Sequence, residues 1–280
     1  MNVFNEALLM NAQRHAASAH APLGHVTLVG AGPGDAELLT VKAARALQSA
    51  TLVLVDQLVS PEVLALLPAS AERIAVGKVA SHHTLPQEEI TQLMLRLARS
   101  GRSLLRLKGG DGFIFGRGGE EAQALAEAGI PFSVIPGISA AQGAAASVGI
   151  PLTHRDHAAT LIFTTGHLRG DSGGHRQLDL DWATLARPRQ TVVVYMGVGG
   201  LPIICAQLIA HGLPAHTPAA VVENATRANE RCITGTVASL PTQALAHDVQ
   251  APALIIIGEV VSLRAVLTQA QHTAQARCTH

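Results

Sequence analysis

The 280 residues are 48% hydrophobic and only 14% charged, a composition that can bury a large core and is unlike that of a disordered chain. Twenty Lys and Arg balance twenty Asp and Glu, so the chain lacks the one-sided field that draws nucleic acid or an anionic membrane, and neither is expected as a partner. Cys205, Cys232 and Cys278 are odd in number and far apart, which excludes a disulfide framework and a Cys-x-x-Cys metal site and fits a reducing cytoplasm.

The first 24 residues have no basic start followed by a continuous apolar run, so they are expected to be an N-terminal extension and not a signal peptide. Five β-branched or apolar runs follow at residues 25–29, 51–55, 73–76, 103–107 and 132–135. Helical patterns at 37–49, 86–100 and 118–128 separate them. Alternation of this kind builds a parallel sheet covered by helices. A second series of strands is expected at 159–164, 191–196, 219–223, 231–236 and 253–257, with residues 170–189 forming a surface insertion that holds a short helix around Trp182. The fold class is therefore α/β in two domains, residues 25–150 and 157–263, joined near 150–157 and followed by a C-terminal tail, 264–280. The uncharged stretches 129–153 and 191–210 could be mistaken for membrane spans, but both are broken by Pro and Gly and read as buried strand, turn and helix.

Seventeen of the twenty basic residues are arginine, the side chain that grips carboxylates and phosphates with two parallel hydrogen bonds; a polyanionic ligand or a codon bias accounts for the skew. The fourteen histidines contain no His-x-x-x-His or His-Glu-x-x-His spacing, and no metal is expected. Gly30-Ala-Gly-Pro-Gly-Asp35 follows a strand and precedes a helix as a dinucleotide fingerprint does, with Asp56 ending the next strand where a ribose-binding acid would sit. The match is poor, because Pro33 stiffens the turn and Asp35 would repel pyrophosphate; the same residues also read as a tight turn with Asp35 as a helix N-cap.

The segment from Arg106 to Glu121, Arg-Leu-Lys-Gly-Gly-Asp-Gly-Phe-Ile-Phe-Gly-Arg-Gly-Gly-Glu-Glu, is the most informative. Its six glycines let a ligand approach the backbone closely, Asp111 can accept hydrogen bonds, and Arg117 and Glu120 lie three apart at a helix start where they share one face. Phe113, Ile114 and Phe115 argue against an ordinary solvated loop.

With this segment, Gly30 to Asp35, Pro136-Gly-Ile-Ser-Ala-Ala141, Gly149-Ile-Pro-Leu-Thr-His-Arg-Asp156, Tyr195-Met-Gly197, Glu223-Asn-Ala-Thr-Arg-Ala-Asn-Glu-Arg231 and Pro252-Ala-Leu-Ile, the chain resembles the uroporphyrinogen-III C-methyltransferases from about His25 to Leu263. The resemblance implies the tetrapyrrole methylase fold, two α/β domains with the active site in the cleft between them, a homodimer, and methylation of uroporphyrinogen III at C2 and C7. The methyl donor would be S-adenosylmethionine and the product precorrin-2, formed by way of precorrin-1, for sirohaem, cobalamin or haem d1. It also implies that the first glycine turn faces the tetrapyrrole instead of a dinucleotide. By position, Pro33, Gly109, Gly110, Asp111, Ile114, Ser139, Ala140, Met196, Ala225 and Ala253 would contact the donor. Asp56 and Lys78 would be proton acceptor and donor, and Arg117, Glu120 and Arg155 would lie around the substrate.

Two departures stand out: Gly112 replaces the usual proline after Gly-Asp, and Gln57 replaces an arginine after Asp56. For Lys78 the plain alternative is a solvated loop lysine, and for Arg155 a domain-linking ion pair. Three other functions remain open at the level of sequence: a methylase of a later corrinoid, a nicotinamide-dependent dehydrogenase, and a non-catalytic donor sensor.

Overall fold

The computed structural model describes residues 22–77, 86–167, 169–170 and 176–268. Lys78, Cys278 and nearly all of the expected N-terminal extension and C-terminal tail lie outside the described residues.

The chain divides into two compact units between Ser139 and Ala140. In the first, β1 (Val26–Gly30), α1 (Val41–Gln48), β2 (Leu52–Val55), α2 (Pro61–Leu64), β3 (Glu72–Ala75), α3 (Gln87–Arg99), β4 (Leu104–Lys108), α4 (Gly118–Glu127) and β5 (Phe132–Ile135) follow one another. The five strands form one sheet in the order β3-β2-β4-β1-β5, every neighbour pair parallel. Strands buried on both faces carry continuous apolar runs, and the core accordingly has two layers. Val29, Val53, Val55, Leu105 and Leu107 pack with Ala43, Leu47 and Val63 of α1 and α2. Val26, Leu28, Leu52, Leu54 and Leu104 pack on the other face with Ile90, Met94 and Leu125 of α3 and α4.

The helical pattern expected over 37–49 is interrupted. Asp35 caps a 3₁₀ turn, Ala36–Leu38, by accepting the Glu37 N–H at 2.8 Å, Leu39 is extended, and Thr40 caps α1 by accepting the Ala43 N–H at 3.2 Å. Two capping residues five apart start two elements where the apolar periodicity alone reads as one.

The second unit contains α5 (Ala140–Val148), β6 (Thr160–Thr165), the short pair β7 (Arg169–Gly170) and β8 (Arg176–Gln177), α6 (Trp182–Leu185), β9 (Gln190–Tyr195), α7 (Leu201–Ala210), β10 (Pro218–Glu223), β11 (Arg231–Thr236), α8 (Leu240–Ala246) and β12 (Ala253–Ile257). Its sheet has the order β11-β10-β12-β9-β6; β6 and β9 run parallel and the other three pairings are antiparallel. Helix α5 packs on β12, so it belongs with this sheet. That places the division about ten residues before the joint expected at 150–157.

Candidate active site

Ligands of parallel sheets bind beyond the carboxyl ends of strands where neighbouring connections leave in opposite directions. In the first unit that place is the boundary of β1 and β4, because β1 connects across β4 to β2 while β4 connects across β1 to β5. Both strands run into glycine turns there. Gly32 N–H donates to the Gly110 carbonyl at 3.1 Å and Gly110 N–H donates to the Gly32 carbonyl at 2.7 Å, so the two turns are paired backbone to backbone. A third turn, after β5, joins them: a Cβ on Gly30 would stand 2.5 Å from Gly137 N, and one on Gly137 would stand 2.3 Å from the Gly110 carbonyl oxygen. Only hydrogen fits at these positions, and Gly110 has φ +64°, where L side chains are strained. Asp111 locks the assembly by accepting the Phe113 N–H at 2.9 Å on Oδ1 and the Gly137 N–H at 3.0 Å on Oδ2.

Beneath these turns lies a knot of charge. Arg106 Nε and Lys108 Nζ donate to Oε1 of Glu121 at 3.0 and 3.1 Å, and Gln87 Nε2 donates to the same oxygen at 2.9 Å. The side chains of Arg106, Lys108 and Glu121 are 1%, 2% and 0% exposed. The two cations also face Oδ2 of Asp56, at 3.7 Å from Arg106 Nη2 and 4.0 Å from Lys108 Nζ, and Asp56 is the member open to solvent at 35%. Burial, reinforced by repulsion from Arg106 and opposed by Glu121 and Asp56, holds the Lys108 ammonium below the ordinary lysine range.

The loop between β4 and α4 closes through Ile114 N–H on the Asp111 carbonyl at 3.2 Å and Gly118 N–H on the Gly112 carbonyl at 2.8 Å. Phe115 and Arg117 both take positive φ, 52° and 58°, a conformation that non-glycine residues rarely adopt outside constrained sites. Arg117 grips Glu120 with two nitrogens, Nε at 3.0 Å from Oε1 and Nη2 at 2.6 Å from Oε2. Those bonds hold the Glu120 carboxyl below the usual carboxylate range. Both side chains stay more than half exposed, and Phe113 and Phe115 are exposed as well.

In the second unit, the antiparallel register brings the ends of β9 and β10 and the start of β12 to one edge: Tyr195 lies opposite Leu254 and Glu223 opposite Ala253. Met196, Asn224 and Thr226, at the same edge, all have positive φ. Ala141 N–H donates to the Tyr195 hydroxyl at 3.1 Å, which ties the start of α5 to this edge. Glu223, buried, accepts from Arg231 on Oε2 and from Gln250 N–H at 3.1 Å on Oε1.

Residues 25–241 match the Tetrapyrrole (Corrin/Porphyrin) Methylases. The chain belongs to this family. It is 56% identical over 240 residues to the siroheme synthase of Nitrosospira multiformis, an alignment covering 86% of this chain and 50% of that protein. The chain thus spans about half the length of the curated relatives it matches. Among solved structures, the uroporphyrin-III C-methyl transferase of Thermus thermophilus complexed with S-adenyl homocysteine is 42% identical, with a TM-score of 0.72 over 86% of this chain and all of that one. A cobalt precorrin-4 methyltransferase of cobalamin biosynthesis is 28% identical with a TM-score of 0.72, over 85% and 95% of the two chains.

As a tetrapyrrole methylase, the chain carries its expected donor residues in two tight groups. Pro33, Gly109, Gly110, Asp111, Ile114 and Ser139 all follow strands at the carboxyl edge of the first sheet, and Ala140, Met196, Ala225 and Ala253 gather at one edge of the second. Asp56 joins the first group, as do Arg117 and Glu120 on the same loop and helix start. Lys78 lies outside the described residues. Arg155 is at the other edge of the second sheet, exposed in the turn His154 to Ala158 that precedes β6, where its carbonyl accepts from Arg189 at 3.3 Å; among the described residues its side chain has no ion-pair partner.

Arg106, Lys108 and Glu121 are the functional candidates that the sequence reading passed over. The signal was present: Arg106 and Lys108 alternate with Leu105 and Leu107 in a strand buried on both faces, and charges there require buried partners. Neither described thiol is poised as a nucleophile, since burial pushes Cys205 up to about 12 and raises Cys232 as well. Among the described residues no group of three or more His, Cys, Asp or Glu is placed to hold a metal ion, and no helix is long and apolar enough to cross a membrane.

Proposed function

We propose that the chain methylates uroporphyrinogen III at C2 and C7 with S-adenosylmethionine as donor, giving precorrin-2 through precorrin-1. The likeness that carries this reading is the 42% identity to the Thermus thermophilus uroporphyrin-III C-methyl transferase over that enzyme's whole length. The geometry supports it: paired glycine turns at the switch point of a parallel sheet, an oriented carboxylate at Asp111, and an acid, Asp56, open beside them.

The donor supplies an electrophilic methyl on a sulfonium whose departing electron pair returns to sulfur. The chain's own residues then have three tasks. The glycine turns and the second-sheet residues Ala140, Met196, Ala225 and Ala253 hold the donor and exclude water, a positioning contribution of about 7–11 kcal/mol at most. Arg117, carried with Glu120, and Arg155 anchor substrate carboxylates. Asp56 takes the proton lost after each methyl transfer, with Lys78 as the returning donor. We further propose a cytoplasmic homodimer whose product feeds sirohaem, with cobalamin and haem d1 as the other destinations of precorrin-2.

Anaerobic incubation of the chain with uroporphyrinogen III and labelled donor, followed by mass analysis, tests the reading. Two labelled methyl groups on the tetrapyrrole are expected. Turnover confined to later precorrins overturns the substrate and leaves a related methylase, and a sedimentation mass equal to one chain overturns the dimer.

A further inference from the structure

The knot beneath the glycine turns is directional. Arg106 and Lys108 are shut away from solvent, so no substrate touches them, while Asp56 is open. Asp56 Oδ1 is fixed by the Gln57 N–H at 3.0 Å, and Oδ2 is the atom turned toward both cations. Glu121 holds both cations, with Gln87, through Oε1; among the described residues its buried Oε2 has no hydrogen-bond partner, so the described contacts that aim the carboxylate all fall on one oxygen. Lys108 also immediately precedes Gly109, and Glu121 immediately follows Glu120, so their contact fastens the two ends of the loop that carries Gly109, Gly110 and Asp111. Replacing a buried ion cluster by apolar residues of similar volume is often neutral or stabilising, so stability alone does not account for one here.

We infer that Lys108 and Arg106 are positioning residues for Asp56, anchored by Glu121, and that they fix the Asp56 carboxylate relative to the donor loop. The inference rests on the reading of Asp56 as proton acceptor: the proton that the methylated tetrapyrrole sheds from another of its atoms goes to Oδ2, and the bonding pair it leaves remains in the tetrapyrrole.

A double-mutant cycle tests it, with methylated product formed from uroporphyrinogen III as the rate and S-adenosylhomocysteine affinity measured in parallel. Asp56→Asn is expected to lower kcat by about 100-fold or more, the scale of a lost general base. Lys108→Met is expected to lower kcat by about tenfold with KM and S-adenosylhomocysteine affinity held within about threefold, and to cost less than about twofold when added to Asp56→Asn, because coupled residues are not additive. Losses that multiply in the double variant overturn the inference and leave Asp56 in its role. Wild-type turnover by Asp56→Asn is a different result, which removes Asp56 from the chemistry and the inference with it. If Lys108→Met does not fold, Arg106→Lys, which keeps the charge and withdraws the Nη2 contact, is put through the same cycle and decides by the same criterion.

Discussion

Among the described residues each unit buries one glutamate against arginine, and the two are used differently. Glu223 spends both oxygens, one on Arg231 and one on the Gln250 N–H, and Arg231 goes on to the carbonyls of His247 at 3.0 Å and Asp248 at 3.3 Å; its side chain is 46% exposed. Glu121 loads three donors onto one oxygen, leaves the other without a partner among the described residues, and faces cations that are sealed from water. The first arrangement pins the end of β10 and the start of β11 to the turn that leads into β12. The second keeps cationic charge facing an open carboxylate. A satisfied buried acid points to architecture, and an over-supplied one points to chemistry next door.

Substitution separates the two. Glu121→Ala leaves two buried cations with Asp56 as their one acidic partner among the described residues, and should cost about 3–5 kcal/mol of stability in urea unfolding; a loss below about 1 kcal/mol would mean that the cations find other partners. Arg231→Ala leaves Glu223 with its backbone donor, and should cost less, about 1–3 kcal/mol by the same measurement. Arg117→Ala breaks an ion pair whose side chains are 54% and 58% exposed, so thermal unfolding should register at most about 1 kcal/mol. Turnover is where Arg117 should count: KM for uroporphyrinogen III rising about tenfold, the worth of one charge-assisted contact, with S-adenosylhomocysteine affinity unchanged. If that KM stays at the wild-type value, substrate anchoring moves to Arg155.

Much of this was legible in the sequence because burial writes itself into apolar runs. Residues 132–135, 231–236 and 253–257 are strands at the bounds the pattern gives, and the other sheet strands start and end within a residue of it. The glycine clusters after β1 and β4 were legible for the same reason, since backbones that touch leave no room for Cβ. The insertion of β12 between β9 and β10 was not, because hydrophobic periodicity says that a strand is central without saying which strands flank it. Nor was the charge knot, whose members come from α3, β4, α4 and the residue that follows β2 and meet only when the sheet has formed.

Strand order has a consequence for biosynthesis. β1 and β2 are made first, yet they are never neighbours; β4 lies between them, pairing Val26 with Leu104 on one side and Val53 with Leu105 on the other. A nascent chain that has not reached residue 104 therefore holds two apolar strands whose inner edges have no partner, the state in which strands attract the wrong company. The strand that arrives to fill the gap is the one carrying Arg106 and Lys108, so each ribosome that completes the sheet also threads both cations into its middle, and the moment of greatest exposure ends with the delivery of the charges on which Asp56 depends.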